Sequence, residues 1–379
     1  MFKLVQMSFC TLAVLLIFLI GSAPAQSLAT PPGSDSSTTS QTQTPVAPTT
    51  RPSTNYSVPN LGSVIPQGTG VAFVNLDSDP RPEMFLMSYQ TMRTLDNPSG
   101  AKYFLLRIGW NLNASGVAAS WLGSPTMVPG VGSEAQGAGM AFANLDSDPR
   151  PEMILMAYDN SAGTGTKYFR YKIGWNVSAS GVAANWSPVY QVAAVSAEAQ
   201  GAGVAFVNLD SDPRPEMVLM AYNDVSGTKV FRYKIGWNVG TNGVAASWGS
   251  TIQVPGVGSG AYGAGMAFVN LDGNPRPEII LMAYDNSTGT KNLRYKIGWN
   301  VSTSGAATSW SPVYQVAGVS PEVQTQGAGM AIVNLDSDPR PEMVMLANEK
   351  PQLGVTFCEY MIGRNINTGG VAASWDTVR

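Results

Sequence analysis

The chain has 379 residues, 44% of them apolar, which is ample for a buried core, while only 12% are charged and the net charge is −3. That balance excludes the basic field a phosphate backbone requires, so nucleic acid is not an expected partner. Histidine is absent, which removes the commonest general base, the Ser-His and Cys-His nucleophile pairs and the usual zinc ligand.

The N-terminus runs Met1-Phe2-Lys3, an apolar stretch from Leu12 to Ile20, then Ala23-Pro24-Ala25. This is the order of a basic start, an apolar segment and a small-residue cleavage site, so residues 1–25 read as a signal peptide and the protein as secreted or displayed at the cell surface. Cys10 lies ahead of the apolar stretch, and Cys358 is then the one thiol of the exported chain, read as a small buried residue on a strand. No later apolar run has the length to span a bilayer. Residues 26–54 are Ser, Thr, Pro and Gln with almost nothing apolar, the composition of an unfolded stalk.

From residue 55 to 379 the chain repeats. Asn-Leu-Asp-Ser-Asp-Pro-Arg-Pro-Glu begins at Asn75, Asn144, Asn208 and Asn334, and returns as Asn-Leu-Asp-Gly-Asn-Pro-Arg-Pro-Glu at Asn270, so the copies start 62 to 69 residues apart. That period fits a four-stranded propeller blade with generous loops. In the second copy, strands A to D are expected at Ala138–Asn144, Glu152–Tyr158, Lys167–Trp175 and Pro188–Val195, separated by Asp-Pro-Arg-Pro, by Asp159–Gly163 and by Ser180-Gly181. The expected fold is all-β: a five-bladed β-propeller of four-stranded antiparallel blades. The fifth copy stops soon after Trp375, whereas Val58–Ser63 matches the fourth-strand segments Val128–Ser133 and Val254–Ser259. The N-terminal strand is therefore expected to complete the last blade and close the ring.

The loops at 75–83, 144–152, 208–216, 270–278 and 334–342 hold 14 of the 25 acidic residues. Oxygen-bearing side chains stand at positions 1, 3, 5 and 9, a spacing by which calcium loops wrap a hard cation. Strand, Asn-x-Asp-x-Asp-x-x-x-Glu, apolar strand resembles the FG-GAP or VCBS repeat of integrin α-chain propellers and of Psathyrella-type propeller lectins. The resemblance implies calcium, up to one ion per blade. Its ligands would be Asn75, Asp77, Asp79 and Glu83 in the first copy, Asn144, Asp146, Asp148 and Glu152 in the second, and Asn208, Asp210, Asp212 and Glu216 in the third. The fourth and fifth copies offer Asn270, Asp272, Asn274 and Glu278, and Asn334, Asp336, Asp338 and Glu342. The family usually has glycine at position 6, where these loops carry Pro80, Pro149, Pro213, Pro275 and Pro339, and proline cannot take a positive φ. The alternative is a metal-free Asx turn in which Arg81, Arg150, Arg214, Arg276 and Arg340 pair with the neighbouring acids.

Each of the first four copies has a tryptophan in Ile-Gly-Trp-Asn (Trp110, Trp175, Trp237, Trp299), replaced in the fifth by Arg364. Such residues suit stacking on sugar faces, as in propeller lectins, or packing between blades. Glu134, Glu198 and Glu322 precede the first strands of three copies, where the fourth has Ala261-Tyr262, and they are the second set of candidate ligand-binding groups. The expected function is a secreted binding or adhesion module whose partner is a carbohydrate or an extracellular protein. A glycosidase using carboxylates at the central funnel, or a purely structural scaffold, is the alternative.

Overall fold

The computed structural model describes residues 67–92, 100–132, 135–159, 168–193, 199, 201–225, 228–285, 292–316, 323–349 and 358–378. Strands account for nearly all the regular structure, in five consecutive antiparallel sheets. The first blade is β1 (Gly68–Val74), β2 (Glu83–Met92), β3 (Ala101–Trp110), β4 (Ser120–Trp121) and β5 (Thr126–Pro129), with β4 and β5 forming two parts of one outer strand against β3. The second repeats this as β6 (Ala135–Ala143), β7 (Glu152–Asp159), β8 (Tyr168–Trp175), β9 (Asn185–Trp186) and β10 (Tyr190–Ala193). The third is β11 (Gly201–Val207), β12 (Glu216–Val225), β13 (Thr228–Trp237), β14 (Ser247–Trp248) and β15 (Ile252–Pro255). The fourth is β16 (Ala261–Val269), β17 (Glu278–Asp285), β18 (Asn292–Trp299), β19 (Ser309–Trp310) and β20 (Tyr314–Val316).

The fifth blade contains β21 (Val323–Val333), β22 (Glu342–Glu349), β23 (Cys358–Arg364) and β24 (Ser374–Val378). Its outer strand comes from the chain's own C-terminal run, with Ser374 opposite Arg364 and Val378 opposite Tyr360. The fifth copy thus does not lack a fourth strand. In blades two and four a Ser-Pro-Val step (187–189, 311–313) divides the outer strand, whereas Ser374-Trp375-Asp376-Thr377-Val378 runs straight. Val58–Ser63, expected to supply that strand, lies outside the described residues.

Burial on both faces explains why the second strand of every blade is a continuous apolar run. Glu152–Asp159 is buried at every residue, and so is Glu278–Asp285. Five apolar clusters result, each between two consecutive blades. One joins Phe85 and Ile108 of the first blade to Met153 and Leu155 of the second, and the last joins Val344 and Ile362 of the fifth to Val71 and Leu86 of the first. The ring therefore closes by packing as well as by strand order.

The interlock repeats with the sequence. Gly116, Gly181, Gly243, Gly305 and Gly370 sit in the turn after the third strand at φ between 73° and 82°, a conformation that favours glycine. Each receives the Ile of Ile-Gly-Trp, or of Ile-Gly-Arg in the fifth copy, from the preceding blade. A methyl group built on Gly243 would lie 1.8 Å from Ile173 Cδ1, and one on Gly116 would lie 2.1 Å from Ile362 Cδ1. Beside this contact Tyr171, Tyr233, Tyr295 and Tyr360 donate to the carbonyls of Gly243, Gly305, Gly370 and Gly116 at 2.9 to 3.1 Å. At the axis, glycines let the innermost strands approach backbone to backbone, and a methyl on Gly139 would lie 2.8 Å from the amide nitrogen of Val204. No described helix is long and apolar enough to cross a membrane.

Candidate functional site

Strand alternation puts the acidic loops and the turns following Ile-Gly-Trp-Asn at one end of each blade. They are tied together by main-chain bonds from Leu112, Val177, Val239, Val301 and Ile366 to the carbonyls of Pro82, Pro151, Pro215, Pro277 and Pro341, at 2.8 to 3.0 Å. The asparagine of the motif (Asn111, Asn176, Asn238, Asn300, Asn365) makes the corner in the left-handed region, φ between 50° and 53°, which asparagine tolerates better than other non-glycine residues.

Within the loop, Asp146 Oδ1 accepts the Asp148 amide at 2.7 Å, and Asp148 Oδ1 accepts the Arg150 amide at 3.0 Å, two successive Asx turns. Arg150 then folds back on the same carboxylate, Nε to Oδ1 at 2.9 Å and Nη2 to Oδ2 at 2.7 Å. This bidentate fork recurs at Arg81–Asp79, Arg214–Asp212 and Arg340–Asp338. The arginine side chain and its amide hold the carboxyls of Asp79, Asp212 and Asp338 down at about 2, and that of Asp148 lower still. The fourth blade differs. Asn274 stands at this position and accepts the Arg276 amide at 3.1 Å, so the turn survives without the fork, and Gly273 adopts φ 74°.

Glu83, Glu152, Glu216, Glu278 and Glu342 end the loops and are fully buried. One oxygen of each accepts the amide of the leucine at loop position 2, at 2.7 to 2.9 Å. The other has no hydrogen-bond partner. Desolvation raises the pKa of all five above the ordinary glutamate value, against the pull of the leucine amide.

These donors, as folded, do not fit a hard cation. In four loops the position-5 carboxylate gives both oxygens to arginine, and position 3 gives an oxygen to a loop amide. Among the described residues no three Asp, Glu or Cys side chains gather as a metal site would require. In those four loops calcium could enter only by displacing the guanidinium.

Trp110, Trp175, Trp237 and Trp299 are half-buried, each packed on the cluster between its own blade and the next. Trp121, Trp186, Trp248, Trp310 and Trp375 lie with their ring edges over the glycine of Ile-Gly-Trp or Ile-Gly-Arg. Lys172 and Lys296 sit 5.8 Å from the centroids of Trp186 and Trp310. Glu134, Glu198 and Glu322 lie outside the described residues.

Two cavities frame the chemistry. On the axis, residues of all five innermost strands (among them Thr69, Ala138, Ala202, Ala264 and Ala328) leave a space of about 10 Å³, room for a water at most. On the loop face, a cleft of about 310 Å³ opens between blades four and five, lined by Val269, Asn270, Ile332, Val333, Asn334, Pro339 and Pro341. It has an aliphatic floor, two carboxamides and no charged side chain. The repeat marked these loops in the sequence, but a cleft made by residues some 60 positions apart left no local signal.

No protein-family model and no curated protein matches the sequence. Among solved structures, two of an exo-β-1,3-galactanase from Phanerochaete chrysosporium with β-1,3-galactotriose resemble it at TM-scores of 0.42 and 0.43 and 10% identity. They cover 79% and 81% of this chain and 61% and 64% of theirs. The NanB sialidase from Streptococcus pneumoniae resembles it at TM-score 0.38 and 12% identity, over 68% of this chain and 35% of its own. The chain thus spans less than two thirds of the length of each.

Proposed function

We propose that the chain is an extracellular binding module of the FG-GAP/VCBS kind that takes a neutral saccharide on the surface of its ring. Residues 1–25 direct export and residues 26–54 form the stalk. The observation that carries this reading is the cleft between blades four and five. Its volume suits a small sugar, its carboxamides can exchange hydrogen bonds with hydroxyl groups, and its proline and aliphatic walls suit the apolar faces of a pyranose. The absence of charge from its lining favours a neutral ligand over an ionic one. The filled axis supports binding in place of catalysis, because it leaves no deep funnel between the innermost strands in which two carboxylates could flank a glycosidic bond.

The test is a glycan array probed with the secreted full-length chain and its Asn334→Ala variant. Saturable binding of neutral glycans that weakens in the variant, with no release of sugar from oligosaccharides on long incubation, supports the reading. Turnover of the oligosaccharides would overturn it in favour of a glycosidase. Binding confined to extracellular proteins would replace the saccharide with a protein partner.

A further inference from the structure

The chain holds six Asn-x-Ser/Thr triplets in which x is not proline, beginning at Asn55, Asn113, Asn176, Asn185, Asn286 and Asn300. In an exported protein such a triplet is the acceptor sequence for an N-linked glycan. The glycan is bulky and hydrated, so the folded chain can carry it only where the asparagine Nδ2 opens to solvent. Asn55 and Asn286 lie outside the described residues, and the fold separates the other four.

Asn176 and Asn300 make the left-handed corners after Ile-Gly-Trp, at φ 52° and 51°, and both are half-buried. Nδ2 of Asn176 faces the acidic loop and donates to Asp148 Oδ2 at 2.8 Å, while Oδ1 of Asn300 is buried with no hydrogen-bond partner. A glycan on either would have to pass through the packed junction of loop and turn. Asn185 is exposed on β9, but Ser187, the third residue of its triplet, is buried. The Ser187 hydroxyl accepts the Ile173 amide at 2.9 Å and donates to the Pro188 carbonyl at 2.7 Å. That hydroxyl is locked into the blade and out of a transferase's reach.

Asn113 meets each condition. Asn113, Ala114 and Ser115 are exposed together in the turn that follows β3. Asn113 Oδ1 accepts the amides of Ser115 and Val117 at 2.9 and 3.1 Å, an Asx turn that holds the oxygen against the backbone. The planar carboxamide therefore turns Nδ2 the other way, towards solvent. Main-chain bonds from Asn113 to Val117 and from Gly116 to Asn113, at 3.0 and 2.7 Å, fix the turn. The other copies have Ser178, Gly240, Ser302 and Asn367 at this position, and Asn367-Thr368-Gly369 lacks the hydroxyl residue at its third place.

We propose that Asn113 is the attachment site of an N-linked oligosaccharide. Nδ2 attacks C1 of a sugar carried on a polyprenyl pyrophosphate. The Nδ2–C1 bond forms as the bond from C1 to the pyrophosphate oxygen breaks, the lipid pyrophosphate leaves with the electron pair, and one amide proton passes to a base of the transferase. The assignment rests on the export reading of residues 1–25. It is independent of the cleft between blades four and five, whose lining does not include Asn113. The same turn carries the closure of the ring, because the carbonyls of Ala114 and Gly116 accept Arg364 Nη1 at 2.6 Å and the Tyr360 hydroxyl at 2.9 Å. The glycan thus stands over the seam between the fifth and first blades.

The experiment secretes the full-length chain with its own leader from a eukaryotic cell and maps its peptides by mass spectrometry after peptide N-glycosidase treatment in isotopically labelled water, which marks each occupied asparagine. Ser115→Ala removes the triplet's hydroxyl but keeps Asn113 and the amide it accepts, so it should melt as the deglycosylated wild type does. Ser115→Thr keeps the triplet. Most wild-type and Ser115→Thr chains should carry a glycan at Asn113, and Ser115→Ala should lose it. Wild-type chain in the medium with Asn113 bare, or with glycan on Asn176, Asn185 or Asn300 in its place, overturns the assignment and leaves export intact. Unmodified chain retained in the cytosol overturns export and the site together.

Discussion

Replacing Gly116 by alanine tests whether the fifth blade locks onto the first as the other blades lock onto their successors. Gly116 holds φ 75° and accepts the Tyr360 hydroxyl at 2.9 Å, and a methyl group there would lie 2.1 Å from Ile362 Cδ1. Forcing a side chain into the left-handed region costs about 1 kcal/mol, and driving a methyl into a filled core adds roughly 1–3 kcal/mol. Gly116→Ala should therefore lose about 2–4 kcal/mol, a cost matched by Gly243→Ala, where Ile173 fills the same role. Urea denaturation of both variants measures it, and adding Ile362→Val to Gly116→Ala should recover part of the loss because the clash, but not the backbone strain, is relieved. If Gly243→Ala shows the full loss while Gly116→Ala costs under about 0.5 kcal/mol, the contact between the fifth and first blades is not formed and the closure argument fails.

The loops make three further predictions. Melting with calcium and with chelator should give the same temperature, because arginine already occupies the carboxylates a cation would need; a calcium-dependent rise would show that the guanidinium yields its place. The buried Glu216 has its pKa raised by desolvation, so its contribution favours the fold below the unfolded value of 4.5 and is lost as pH rises through the folded value. Glu216→Gln should accordingly flatten the fall in melting temperature expected of wild type as pH rises above 4.5, and an unchanged slope would mean the carboxyl is not strained there. The opposite sign holds for Asp79, whose pKa is lowered to about 2 by Arg81: its contribution is full above the unfolded value of 3.8 and disappears as pH falls through about 2, so Arg81→Gln should matter least in strong acid.

Much of the architecture could be read from the chain because the repeat displays it five times. The second strand expected at Glu152–Tyr158 forms at Glu152–Asp159, and the third, expected from Lys167, forms at Tyr168–Trp175. Ser180-Gly181 is the turn that its composition indicated, although the reason for glycine, the intruding Ile108 side chain, comes from another blade. The C-terminal strand of the last blade is not marked by the Val-Pro-x-x-Gly-Ser pattern of earlier copies, because pairing needs only an extended run such as Ser374–Val378; Val58–Ser63, which carries that pattern, lies outside the described residues. The loops carry oxygen ligands at a cation's spacing, but spacing does not show whether the interleaved arginine turns outward or folds back. Fixed φ at Pro149 and the Asx turns on either side favour folding back. The tryptophans were open to two readings, and what places them between blades is the neighbouring sheet, which no single copy contains.

The ring also carries a departure from its repeat that falls on its closure. Blades two and four carry the pairs Asp159–Arg170 and Asp285–Arg294, and their Tyr190 and Tyr314 reach Asn242 and Gly369 in the following blade. The fifth copy has Asn348 where the other four have Tyr89, Tyr158, Tyr222 and Tyr284. The junction between the fifth and first blades therefore joins the copy that departs most to one that keeps the pattern. It is there that the sequence abandons tryptophan for Arg364, which pairs with Asp376 at 2.8 Å and donates to the carbonyl of Ala114 in the first blade at 2.6 Å. A flexible guanidinium can bridge a contact that the rigid aromatic pattern does not match. Arg364→Trp, which restores the motif of the other four copies, should therefore lower the melting temperature where a consensus substitution would ordinarily raise it. A gain in stability would show that the fifth blade meets the first just as its neighbours meet one another.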